Sequence, residues 1–540
     1  MKNTLVAALV LGLAVPALHA QQTEIDRWWS IVAYLANDGM QGRQTGSKEH
    51  REAANYIAEQ FKKAGLKPGA NGSYLQPVKL VSRTLDEGKS SLTIVRDGTE
   101  ERVEFGTDVL LSLRVLHAPR LEASMVFAGY GLTIPELKYD DLSGLDVKGK
   151  IVVLLTGIPP GVPGPLYSHY NTLRWKALQA AGAIGAIQIQ NPKGQDVPWD
   201  RQAQNRLLPS MVLEDPSMDD NAGQQLALTA NPTRSEKWFT GSAHTFKEIL
   251  EFSDAGKALP KFPLKGVFRS VVSMGGEAVT SENVVGILPG TDPRLRNEYV
   301  VVSAHLDHLG IGNPVNGDSI FNGAMDNASG IATLIETAAA AASIKGLKRS
   351  IAFVAVTAEE KGLLGSRYFA TRPALDLTSG FALTGSRSAG VMVANMNTDM
   401  YLPLFPLKSV VVQGLEESDL AGDLRAVAGT MKIEVLSDPE PERNAFTRSD
   451  QYSFIRRGVP ALSLKVGFTK DSPEHELVKK WRAERYHSVL DDLTQPVDKQ
   501  AAVDFNRIYA KVVEAVANRA TRPAWNKESF FKRFENPANQ

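Results

Sequence analysis

Four short apolar runs in the second half of the chain constrain its fold most: Tyr299–Ala304, Ile351–Val356, Val391–Met396 and Pro460–Val466. Each is nearly uninterrupted, the pattern of a strand buried on both faces. Between the first two lies Ser329–Ala342, Ala-rich and long enough to read as a helix. Strands alternating with helices predict an α/β fold, a mainly parallel mixed sheet sandwiched by helices. Ligands of such sheets bind beyond the C-terminal ends of the strands. The residues just after each run are therefore where chemistry is expected.

Those residues are acids and histidines. The first run ends in His305-Leu306-Asp307, and a metal-bound histidine usually has its second ring nitrogen held by a partner such as a carboxylate. Asp326 stands in the small-residue loop Asn322–Gly330 ahead of the Ala-rich helix, where Asn327 or Ser329 can act as a cap. The second run leads into Glu359-Glu360, two acids that are costly beside a buried strand unless a cation or water meets them. The third leads into Asn397-Thr398-Asp399, and late in the chain Tyr486-His487 is followed by Asp491. Singly, each also reads as a surface pair, a cap or a solvated face. Together they gather acids and a histidine on one sheet edge.

The chain has no cysteine, so any metal must be held by His, Asp and Glu. Two histidines, two aspartates and one glutamate, with one carboxylate shared, can hold two ions roughly 3.5–4 Å apart. Nitrogen and oxygen donors suit zinc, with cobalt or manganese as alternatives. One further carboxylate would remain as a proton shuttle. His308, His475 and His244 read instead as solvent-facing or loop histidines.

As a set, His305-Leu306-Asp307, Asn322–Gly330, Glu359-Glu360, Asn397-Thr398-Asp399 and Tyr486-His487 resemble the metal motifs of metallopeptidase family 28. This group includes bacterial leucyl aminopeptidases, aminopeptidase Y and glutamate carboxypeptidase. The resemblance covers roughly residues 280–500 and implies a zinc-peptidase-like sheet. It implies that His305 and Asp399 bind one metal, Glu360 and His487 the other, and that Asp326 bridges both. Glu359 would be the general base that takes a proton from the attacking water and passes it to the leaving amine. Asp307 and Asp491 would orient the two histidines. The segments Val126–Gly131, Asp140-Asp141-Leu142 and Asp146–Lys150 look like a protease-associated domain inserted into the catalytic one. Arg448-Ser449-Asp450-Gln451 resembles a family segment that often reads Ser-Asp-His, and Gln451 in place of that histidine puts local substrate contacts in doubt.

The expectation is a two-zinc exopeptidase acting on peptides, an aminopeptidase first. A carboxypeptidase or dipeptidase on the same metals is the alternative. A catalytically inactive receptor-like protein is the alternative of another class, and it should lack a ligand. Sixty basic and sixty acidic residues cancel, which gives nucleic acid no charge to favour.

Lys2 followed by the apolar run Leu5–Val15 reads as a signal peptide over residues 1–20, with an exported, periplasmic or extracellular product and no membrane span after its removal. The expected organisation is a first catalytic part at 21–118, a protease-associated domain at 119–270, and the metal-bearing catalytic part at 271–521. A tail at 522–540 carries Trp525, Phe530, Phe531 and Phe534, which could dock on the body or meet a partner. Oligomeric state is left open.

Overall fold

The structure is a computed structural model that describes residues 22–194, 197–373, 375 and 390–535. Residues 1–20, expected to be a signal peptide, lie outside the described residues. Two compact units divide the chain. The first takes the chain up to Val78, Ser281–Glu440 and the part from Arg448 onward; the second takes Lys79–Thr280 and Pro441–Thr447.

The first unit contains the strands β1 (Met274–Leu288, from Ser281), β2 (Glu298–His305), β3 (Ser350–Val356), β4 (Val391–Asn397), β5 (Ser409–Gln413), β6 (Glu434–Ser437) and β7 (Ala461–Val466). Its helices are α1 (22–35), α2 (Lys48–Lys63), α3 (Ser329–Ala342), α4 (Leu364–Thr371), α5 (Leu420–Met431), α6 (Gln451–Ile455), α7 (Pro473–Glu484) and α8 (Lys499–Asn518). The strand order is β1-β3-β2-β4-β7-β5-β6. The central pairs β3–β2, β2–β4 and β4–β7 are parallel, while β1–β3 and β7–β5 are antiparallel. The sheet is thus mixed and mainly parallel, as the apolar runs predict.

Side-chain alternation divides the core between the two faces. Val300 and Val302 of β2 and Phe353 of β3 join Ile331 and Leu334 of α3 and Phe505 and Val512 of α8. Val301 of β2 and Val354 of β3 face the other way, with Phe369 of α4 and Phe454 of α6. Each such buried side chain contributes roughly 1.5–3 kcal/mol. Helices therefore cover both faces, and the strand ends are the open rim.

The stretch 24–65, expected to be helical throughout, is broken. Asn37 Oδ1 accepts the Gly39 N–H, and Gln41, Gly42 and Arg43 take positive φ between α1 and α2. The tail docks: Trp525, Phe531 and Phe534 are buried, and Trp525 Nε1 donates to Gly458 O at 3.0 Å.

In the second unit an eight-stranded sheet runs Thr99–Val103, Ser91–Arg96, Lys261–Val271, Arg120–Ala128, Ile151–Leu155, Gly185–Ile189, Leu226–Ala230, Val109–Leu111. Trp175 and Leu178 of the helix Arg174–Ala180 pack on Val126, Val152 and Leu154. The unit begins ahead of residue 119 because Ser91–Arg96 pairs with Lys261–Val271 in this same sheet. Among the described residues, no helix is long and apolar enough to cross a membrane.

Candidate metal centre

In register, His305 lies opposite Val356, and Ser303 lies opposite Asn397. The last residues of β2, β3 and β4 therefore share one edge, and Glu359, Glu360 and Asp399 follow immediately beyond it. Asp326 reaches the same place from the loop before α3. Gly323 opens that loop at φ +62°; a Cβ there would sit 2.2 Å from Asp326 O and 2.6 Å from the His308 ring, so only glycine fits.

Asp326 lies at the middle of the group. Its Oδ1 is 3.2 Å from His305 Nε2 and its Oδ2 is 3.4 Å from His487 Nε2. His305 Nε2 is also 3.4 Å from Asp399 Oδ1, and His487 Nε2 is 3.2 Å from Glu360 Oε2. His305, Asp326 and Asp399 each offer a donor atom, all within 4.8 Å of one another; so do His308, Asp326 and Glu360. The five residues proposed as metal donors from sequence therefore converge.

The acids beside them act differently from the expected pairing. His305 Nδ1 meets the main-chain carbonyl of Asp307 at 3.1 Å. The Asp307 carboxylate instead accepts the Glu359 N–H at 3.0 Å, the Glu360 N–H at 3.4 Å and the Thr45 hydroxyl at 3.0 Å. Asp491 accepts from the N–H groups of Met325 and Asp326, both at 2.9 Å, rather than from His487. Both acids orient loops, because two acceptor oxygens suit two adjacent main-chain donors better than one ring nitrogen. Asn327 adds a third tie: its Nδ2 donates to Thr398 O at 3.0 Å, linking the Asp326 loop to that of Asp399.

His308 is not a solvent-facing histidine. It is fully buried, with Nδ1 2.7 Å from Glu360 Oε1 and Nε2 without a hydrogen-bond partner. His475 is also buried, with Nε2 3.2 Å from Glu440 Oε1, whereas His244 is one-third exposed. The signal for His308 was its place three residues after His305, but only the fold turns it inward. Gln451 is buried and accepts from Asn397 Nδ2 at 2.8 Å, which makes it part of the support under β4.

Charge at the site is crowded. Burial, with the neighbouring charges of Glu360, Asp450 and Asp399, holds the Glu359 carboxyl well above the usual range against the pull of His305. Burial pushes Asp450 up to about 7. Burial and Glu360 also act to raise Asp326, but hydrogen bonds from His305 and His487 outweigh them and keep it ionised. Closely packed buried carboxylates with imidazoles between them form a cage that a divalent cation would neutralise.

Residues 283–513 match the sequence profile of peptidase family M28. That stretch, the M28 segment, is similar to the metallopeptidases of this family and spans less than half of the chain. Over 490 residues the chain aligns with a protein described as "probable leucine aminopeptidase 2" of Aspergillus oryzae at 21% identity, covering 88% of this chain and 80% of the relative. In fold it is similar to an aminopeptidase from Aneurinibacillus sp. strain AM-1, with a TM-score of 0.54 and 19% identity over 91% of this chain and 93% of the other. The M28 segment contains His305, Asp326, Glu359, Glu360, Asp399 and His487.

Proposed function

We propose that this chain is an exported aminopeptidase working with two zinc ions. One observation carries the reading: the two oxygens of Asp326 face different histidines, so a single carboxylate stands between two donor groups. His305 and Asp399 would complete one site, and Glu360 and His487 the other. An all-nitrogen-and-oxygen donor set of buried imidazoles and carboxylates fits zinc. His308 would steady Glu360, or donate beside it. Bound there, the ions would polarise the scissile carbonyl and make the attacking water more acidic.

The chain's own groups would do the rest. Glu359, pinned by its N–H to Asp307, takes the water's proton and returns it to the leaving amine. Burial and the neighbouring carboxylates raise the Glu359 carboxyl above the ordinary range, which favours its holding the proton it receives. The A. oryzae relative's description as "probable leucine aminopeptidase 2" supports release of N-terminal residues. The second unit is read as a protease-associated module. Its parallel strands Arg120–Ala128, Ile151–Leu155 and Gly185–Ile189 and their packed helix support that reading. Export rests on the sequence of residues 1–20.

The test is a panel of aminoacyl chromogenic substrates beside N-blocked peptides and carboxypeptidase substrates, before and after chelation. Aminoacyl cleavage should be lost with the chelator and return with zinc. Full activity in the chelated protein would overturn the metal reading; cleavage of blocked peptides alone would overturn the aminopeptidase reading.

A further inference from the structure

Arg43 lies outside the M28 segment and carries its guanidinium into the floor of the metal centre. Its side chain is fully buried. Nε donates to Leu306 O at 3.0 Å, Nη1 donates to Asn322 O at 2.7 Å and to Leu35 O, and Nη2 donates to Gly323 O at 3.0 Å. Leu306 lies between His305 and Asp307. Asn322 and Gly323 open the loop that presents Asp326. One planar cation thus ties the end of β2 to the Asp326 loop and both to the end of α1.

The backbone is bent to make this reach. Arg43 itself takes φ +46°. At Gly42, φ is +66°, and a Cβ would sit 2.3 Å from Phe321 O and 2.8 Å from Gly310 O. A non-glycine residue with positive φ is uncommon and is strained unless its surroundings impose it.

A buried guanidinium is also costly unless it is hydrogen-bonded and its charge is balanced. The hydrogen bonds are the four carbonyls. The balancing charges are Asp491, Asp307, Asp326 and Glu360, whose fields act on Arg43. Burial lowers its pKa, yet only to about 10, so it stays cationic at neutral pH.

We propose that Arg43 is the positioning residue of the metal centre: its guanidinium holds the His305 and Asp326 loops in place before any metal arrives and offsets the carboxylates above it. The proposal rests on the two-metal reading for what those loops bind. It explains why so many carboxylates stay together in one buried place. It also means that the M28 segment alone lacks a part of its own site. Lysine cannot substitute, because one ammonium with three donors cannot reach carbonyls that the planar fork meets in separate directions.

The experiment uses the full chain, with Arg43→Lys and Arg43→Gln, and zinc alone as the titrant. Folded variants should bind zinc about 10- to 100-fold more weakly, the usual cost of losing an outer partner of metal ligands. kcat should fall while KM for an aminoacyl substrate changes little. Zinc affinity equal to wild type in a folded variant would overturn the proposal. Hydrogen exchange on metal-free wild type supplies a readout that needs no variant. The amides of Leu306, Ala324 and Met325 should be protected as strongly as in the zinc-loaded protein, and free exchange there overturns it equally. If wild type binds no zinc yet those amides are protected, the clamp stands and the metal reading fails.

Discussion

Asp491 accepts the main-chain N–H of Asp326 at 2.9 Å, so an acid four residues beyond one histidine fixes the loop of the carboxylate between both donor groups. The neighbouring Met325 N–H donates to its other oxygen at 2.9 Å, and Gln495 Nε2 donates to that oxygen as well. Asp491→Asn turns one acceptor into a donor aimed at an N–H, leaving a buried donor unmatched. Zinc affinity should fall about 10- to 100-fold with the fold retained. Isothermal titration with zinc checks this; unchanged affinity would remove Asp491 from the site's support.

Glu359 and Glu360 are adjacent but separate cleanly by experiment. Glu360 faces His487 and His308 through its two oxygens, whereas Glu359 is assigned the proton. Glu359→Gln should lower kcat by about 10²–10⁴-fold, the range for a lost general base, with two zinc ions still bound. Glu360→Gln should lose bound metal. Metal analysis beside steady-state kinetics distinguishes them, and a Glu359→Gln protein of normal kcat would leave the proton without a carrier.

Asp450 is fully buried and its charge helps raise Glu359. Where Asp450 is ionised, at and above about pH 7, Asp450→Asn removes a negative charge, so there the Glu359 carboxyl should give up its proton more easily. A base works only when deprotonated, so the acid limb of the kcat/KM profile should move to lower pH. A limb that stays in place, or moves upward, refutes the coupling.

What the sequence made legible follows from what each signal depends on. Strands β2, β3 and β4 were readable because a parallel strand buried on both faces is apolar throughout, and the acids behind them mark its end. Strand β5, Ser409–Gln413, is as apolar and buried, but no acid or histidine follows it directly, so its sequence carries no functional signal. His308 and Arg43 were not readable as site residues. An arginine is ordinarily exposed and a histidine only intermediate, and their full burial comes from the tight contact of a positive-φ segment with a distant loop. The roles of Asp307 and Asp491 were half-readable: spacing put them near the histidines, but only the loops show that main-chain donors reach the carboxylates first.

His50 gives the fold a dependence on acid that can be isolated. It is fully buried in α2, with Nδ1 3.3 Å from Ser281 Oγ and Nε2 without a hydrogen-bond partner. Burial, reinforced by Arg43 and Arg51, pushes its pKa from 6.5 down to about 3. Between those values the unfolded chain binds a proton that the folded chain does not. Stability is therefore complete above pH 6.5 and falls as pH drops, by about 1.4 kcal/mol per unit from this one group. His50→Gln carries no proton at either pH. Between pH 7 and pH 5 its unfolding free energy in urea should fall by about 2 kcal/mol less than that of the wild type. Equal losses in the two proteins would mean that His50 takes up its proton without unfolding the site.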